Sequence, residues 1–200
     1  MVECRPHKAR VVGSNPTRTT NIKRMDFKSL VEGAPHIIKR KLEQLKFLRE
    51  RPDFHPEPSA FEHIRIVTER LIPTGDPNLI MAGILHDICK FDCVRVNPKN
   101  GHPTSPGHDK EACELIHNDR EIRQWITDNG GDWRKVAGIV FGHMRFHQLG
   151  QMREFKREKQ IQDWKDQGIW DALAIHGAAD NMLEEFDLNN IEKSWKWKKS

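Results

Sequence analysis

Apolar side chains recur along most of this chain at the three- and four-residue spacing of amphipathic helices. From residue 34 to about 50 they fall at Ile37, Ile38, Leu42, Leu45 and Leu48. Arg51-Pro52 stops that run, because a residue before proline is pushed out of the helical region. Ser59, with Glu62 three residues on, reads as the N-cap of a second helix carrying Phe61, Ile64, Val67 and Leu71. A turn spans Pro73 to Pro77. The next helix, residues 79 to about 89, is apolar on nearly every side, as a buried segment is. Residues 97–107 are rich in Pro and Gly and read as a loop. Further helices are expected from His108 through Ile116, and over about 121–128, 133–146, 154–167 and 169–186. There is no internal repeat, glycine-rich phosphate loop or nucleophile elbow, and the expected fold is an all-α bundle.

Length and charge sharpen this picture. At 200 residues the chain suits one domain with one core, and 36% hydrophobic with 31% charged residues suits a soluble, helix-rich protein. No apolar run approaches the roughly 18 residues of a membrane span and no apolar signal core opens the chain, so a cytoplasmic location and no membrane partner are expected. Cys4, Cys89, Cys93 and Cys113 form no CxxC pair and read as reduced thiols. The formal charge of +4 comes from one end: residues 1–24 hold six basic side chains and one acid, +5, which leaves −1 for the rest. The body therefore encodes no strong nucleic-acid-binding surface.

Residues 1–24 also lack helical or strand periodicity and read as a disordered arm. Gly13-Ser14-Asn15-Pro16 can be written GGT-TCG-AAT-CCN, which resembles the T-arm of a transfer RNA gene. This suggests a spurious upstream extension of a frame that begins at Met25. Residues 25–188 then form a single helical domain and 189–200 a solvated tail, in which Trp195 and Trp197 alternate with lysines.

The candidate chemistry lies in histidines and aspartates scattered over the expected helices: His63, the adjacent pair His86-Asp87, His108, His143 and Asp180. Imidazole nitrogens and carboxylate oxygens are ligands for borderline and hard divalent cations, and without a thiolate the choice spans Mn, Fe, Mg, Ni and Zn. A charged Asp beside so apolar a helix is costly unless paired or ligated. Because successive helical residues point about 100° apart, His86 and Asp87 reach one ion only over the helix edge between them. A metal-dependent hydrolase is the function this set points to.

The same residues carry a resemblance. Phe61-Glu62-His63, Ile84-Leu85-His86-Asp87-Ile88-Cys89-Lys90 and Ala178-Ala179-Asp180-Asn181 resemble the H…HD…D signature of the HD-domain metal-dependent phosphohydrolases. Gly107-His108-Asp109 with Ala112, residues 139–145 ending in His143-Met144-Arg145, and His176 to Asn181 resemble segments of the HD domain of bacterial CCA-adding enzymes and poly(A) polymerases. The resemblance covers roughly residues 58 to 185, and the nucleotidyltransferase head of those longer enzymes has no room here. It implies an HD-type bundle with the metal site between central helices, and His63, His86, Asp87 and Asp180 as ligands of one cation. That cation makes bound water a nucleophile near neutral pH. Asp87 would orient the water or accept its proton, and Lys90, one turn on, would hold a phosphate oxygen. His108 and His143 match positions that bind a second ion in two-metal relatives and face the phosphate in one-metal relatives, His108 then being part of the catalytic set. Gly142-His143 stands where the family has two histidines, which counts against a second metal; Lys90 disfavours a guanosine tetraphosphate substrate, and the missing GYP motif cyclic-di-GMP.

The expected function is thus a phosphomonoesterase or phosphodiesterase acting on a small nucleotide or an RNA-end phosphoester. The alternatives are a noncatalytic nucleotide-binding regulatory module and an RNA-binding accessory protein; self-association as a homodimer stays open. His7, His36, His55, His102, His117, His147 and His176 receive no role. Translation from Met25 predicts that the native protein yields no peptides from residues 1–24, which mass spectrometry of its N-terminus checks.

Overall fold

The computed structural model describes residues 26–49 and 57–181. The expected arm and tail, Arg51-Pro52 and residues 182–186 of the last expected helix lie outside the described residues. Within them the chain is predominantly helical, as expected. The helices are α1 (Phe27–Glu32), α2 (His36–Leu45), α3 (Ala60–Leu71), α4 (Pro77–Leu85), α5 (Lys90–Cys93), α6 (His108–Asn118), α7 (Arg120–Asp128), α8 (Trp133–His147), α9 (Glu154–Asp166) and α10 (Trp170–Asp180). No described helix is long and apolar enough to cross a membrane.

Caps set most of the starts. Ser59 Oγ accepts from Glu62 N at 3.3 Å, as its position before α3 predicts. Asp76 accepts from Asn78 N with Pro77 at the first helical position, and Asp119 and Asp132 cap α7 and α8 in the same way. Between α3 and α4 a 3-10 turn, Ile72–Thr74, closes on Gly75 at φ 65.

The helix α4 is the centre of the bundle. Every residue from Leu79 to Leu85 is buried, and α4 packs against α3, α8 and α10, while α6 packs on α8. Each of its large aliphatic side chains contributes about 1.5–3 kcal/mol by leaving water. Small residues let the partners approach. A methyl at Gly83 would lie 2.9 Å from Leu71 Cδ1, and one at Gly177 would lie 2.4 Å from the Phe146 ring. Phe146 is itself fully buried and packs against Trp164 and Trp170.

Four elements differ from their sequence expectation. The short helix α1, capped by Asp26, is too brief to show a period. The helix α2 ends at Leu45 instead of running to about 50: Phe47 and Leu48 donate to Gln44 and Leu45, and Leu48 O turns to accept from Ala60 N. The segment read as a loop contains an antiparallel hairpin, β1 (Arg95–Val96) with β2 (Pro103–Thr104). Most consequential, the buried helix ends at Leu85 and residues 86–89 form tight turns before α5, with Ile88 N donating to Leu85 O and Lys90 N to Asp87 O. His86 still has α-helical dihedrals and donates to Ala82 O, and the i→i+3 bonds begin only after it, so Asp87 stands where the helix gives way to the turn.

Gly177→Ala tests the α8–α10 contact. The helical gain of roughly 1 kcal/mol is outweighed by overpacking against a ring that cannot retreat, and a fall in Tm of several degrees is expected in a thermal melt.

Candidate metal centre

Five segments deliver the site. α3 supplies His63, the turn after α4 supplies His86 and Asp87, the first residue of α6 is His108, and α8 and α10 supply His143 and Asp180. All six side chains are brought together in the interior, with Asp180 marginally the most open. Two three-residue groups have ligand atoms within 4.8 Å of one another: His63, His86 and Asp180, and Asp87, His108 and His143. Asp87 joins them. Its Oδ2 lies 3.1 Å from His86 Nε2 and 2.8 Å from Lys90 Nζ, while its Oδ1 lies 3.0 Å from His108 Nε2 and 3.7 Å from His143 Nε2. Across the cluster, Asp180 Oδ1 lies 2.8 Å from His63 Nε2 and 3.7 Å from His86 Nε2.

The imidazoles share one orientation. Their Nδ1 atoms are tied outward: His63 to Glu57 Oε1 at 3.2 Å, His86 to Gly83 O at 2.9 Å, and His108 and His143 to Ser105 O and Val140 O, each at 2.6 Å. A carbonyl or carboxylate at Nδ1 holds a proton there and turns Nε2 inward, which is how protein histidines are prepared for a metal. His86 Nε2 is the clearest case. It is buried with no hydrogen-bond partner among the described residues, yet it faces both aspartates. A buried polar atom left so costs roughly 1–3 kcal/mol, and a cation among nitrogen and oxygen donors answers it. These buried His/Asp groups can hold a metal ion.

The electrostatics agree. Burial alone would raise the Asp87 carboxyl, but the charges of His86 and Lys90 and hydrogen bonds to His108 and His143 hold it well below the usual carboxylate range. Asp180 is held low in the same way, chiefly by His147 and His63 against its burial. Burial pulls His63 down, and hydrogen bonds to Asp180 and Glu57 with the nearby carboxylate charges overcome this and raise it from 6.5 to about 10. Burial pushes the Cys89 thiol up to about 12, and Cys89, Cys93 and Cys113 form no disulfide among the described residues.

Every residue proposed for the site from sequence, Lys90 included, lies in it. Sequence reasoning missed three more. His147 Nε2 lies 2.6 Å from Asp180 Oδ2, Glu57 holds His63, and His176 packs edge-on against His86 with ring centroids 4.9 Å apart. Helical spacing offered the signal, because His147 is four residues after His143 and His176 four before Asp180. Among the other unassigned histidines, His36 and His102 are exposed and His117 bonds within α6, while His7 and His55 lie outside the described residues, as does Cys4. A side chain at Gly142 would run into Leu173 Cδ2 at 2.9 Å, so that position faces α8–α10 packing and its lack of a histidine removes no ligand from the cluster. No protein-family model, curated protein or solved structure matches the chain.

In the metal-free protein His63 is an imidazolium below about pH 10, so a cation that takes its Nε2 must displace a proton. Mn²⁺ binding is therefore expected to release close to one proton at neutral pH and to tighten roughly tenfold per pH unit between pH 6.5 and 8.5. Calorimetry in two buffers of different ionisation enthalpy checks it; affinity independent of pH would exclude His63 as a ligand.

Proposed function

We propose that this chain is an HD-type metal-dependent phosphohydrolase acting on a nucleotide or an RNA-end phosphoester. The observation that carries the reading is the set of four imidazoles with Nδ1 tied outward and Nε2 turned toward two buried aspartates. His63, His86, Asp87 and Asp180 would hold a divalent cation, drawn from Mn, Fe, Mg, Ni or Zn by the hardness of the donors. When bound, such a cation polarises a phosphoryl oxygen and makes water nucleophilic near neutral pH.

The remaining groups suit a phosphate. Lys90 brings an ammonium to Asp87 Oδ2, close enough to hold a nonbridging phosphate oxygen as charge develops there. His108 and His143 present Nε2 on the other side of Asp87 and can contact the same phosphate or hold a second ion. Asp87, kept ionised by its neighbours, is a weak base and acts by accepting hydrogen bonds that orient the attacking group. Between α5 and α6 the chain carries exposed Arg95 and Lys99 and no carboxylate, and Asp109 and Glu111 follow in the first turn of α6.

Release of phosphate from nucleotides, and of the monoester product from cyclic phosphates and simple diesters, with Mn²⁺ and the full chain, tests the proposal. Activity abolished by chelator and by Asp87→Ala, with kcat/KM reduced roughly 100-fold in Lys90→Ala, is the expected result. Tight metal and nucleotide binding without turnover on any substrate would point instead to a noncatalytic nucleotide-binding module.

A further inference from the structure

His147 belongs to the cluster, yet its hydrogen bonds run opposite to those of the four imidazoles around it. Asn181 Nδ2 donates to Gly177 O at 2.7 Å, which fixes the amide with its NH₂ on that side. The same Nδ2 lies 3.1 Å from His147 Nδ1, so that ring nitrogen accepts. A neutral imidazole accepting at Nδ1 carries its proton on Nε2, and an imidazolium would set two donors face to face. His147 Nε2–H is therefore the donor to Asp180 Oδ2, 2.6 Å away. Where His63, His86, His108 and His143 turn inward an Nε2 that a cation can take, for His63 in place of a proton, His147 offers a proton that it keeps. Asp180 thereby has one oxygen committed to His147 and the other directed at His63 and His86.

We propose that His147, oriented by Asn181, is a positioning residue that restrains the Asp180 carboxylate so that only Oδ1 is offered to a divalent cation beside His63 and His86. The inference rests on the metal-centre reading above and goes beyond it by separating support from ligand. Hydrogen bonds to ligating carboxylates orient them and tune metal affinity. The relay from Gly177 O through Asn181 and His147 to Asp180 joins the end of α10 to the end of α8, so the packing of these two helices sets the direction of the ligand oxygen.

The test is Mn²⁺ titration of the full chain, wild type against His147→Ala and His147→Gln, followed by calorimetry and by the Mn²⁺ spin-resonance signal. His147→Ala is expected to bind Mn²⁺ roughly 10- to 100-fold more weakly, and His147→Gln, whose amide N–H can replace the donor, to recover most of that loss. Unchanged affinity in His147→Ala overturns the inference. Equal losses in both variants overturn it too, since a direct ligand would be lost in each. Wild type that binds no Mn²⁺ removes the metal centre and this inference together, whereas normal wild-type binding with an indifferent His147 removes this inference alone. Should His147→Ala fail to fold, long-range ¹H–¹⁵N correlations on the metal-free wild type decide: a proton on His147 Nε2 sustains the relay, and one on Nδ1 overturns it.

Discussion

Two aspartates, Asp87 and Asp180, are buried inside a helical bundle, and the arrangement of the bundle around them follows from the cost of doing so. An ionised carboxylate taken out of water is strongly unfavourable unless its charge and its lone pairs are met. Asp87 is met by Lys90 from its own turn, by His108 from α6 and by His143 from α8. Asp180 is met by His63 from α3 and His147 from α8. Helices distant in sequence must converge for these contacts to exist, so the charge cluster and the fold specify one another. The apolar faces supply the drive and the two carboxylates select the register. If α8 slid by one residue, its face would rotate by about 100°, and both His143 and His147 would leave the cluster.

The chemistry was legible in the sequence wherever it depended on residue type, and less so wherever it depended on local geometry. The buried helix before His86 stood out because it has no polar face, and an aspartate at its end is costly enough to need a reason. Asp180 and His143 stood out as candidates in expected helices, but their roles rested on the resemblance of their segments to a family's motifs. Glu57 escaped because it precedes the Ser59 cap, outside any period, and its contact with His63 depends on how the chain enters α3. The tight turns over residues 86–89 escaped because periodicity cannot separate the last turn of a buried helix from an i→i+3 turn that follows it. The hairpin at residues 95–104 has two paired residues on each strand, too few for alternation to register. In each case the deciding interaction is a backbone hydrogen bond or a contact between remote segments, which a one-dimensional pattern does not contain.

His176 shows how the same cluster disposes of a histidine that is not turned to use. It is fully buried, neither ring nitrogen has a hydrogen-bond partner among the described residues, and it stacks edge-on behind His86. Burial first, then the charge of His86, holds its imidazole well below the usual value against the opposing charge of Asp180. A neutral ring at that place adds no positive charge to a centre that already carries Lys90 and the His63 imidazolium. Each further cation there would compete with a divalent ion for the same two aspartates. The unmet nitrogens are a local cost of roughly 1–3 kcal/mol each, and the flat ring gives in return an incompressible backing to His86, whose Nδ1 is already tied to Gly83 O. Orientation of the inward nitrogen is thus fixed from two sides, by a hydrogen bond and by packing, before any ligand arrives. Preorganisation of this kind explains why the centre is assembled from helix ends and tight turns within a dense core: side chains set on mobile loops could not keep four Nε2 atoms directed at two carboxylates.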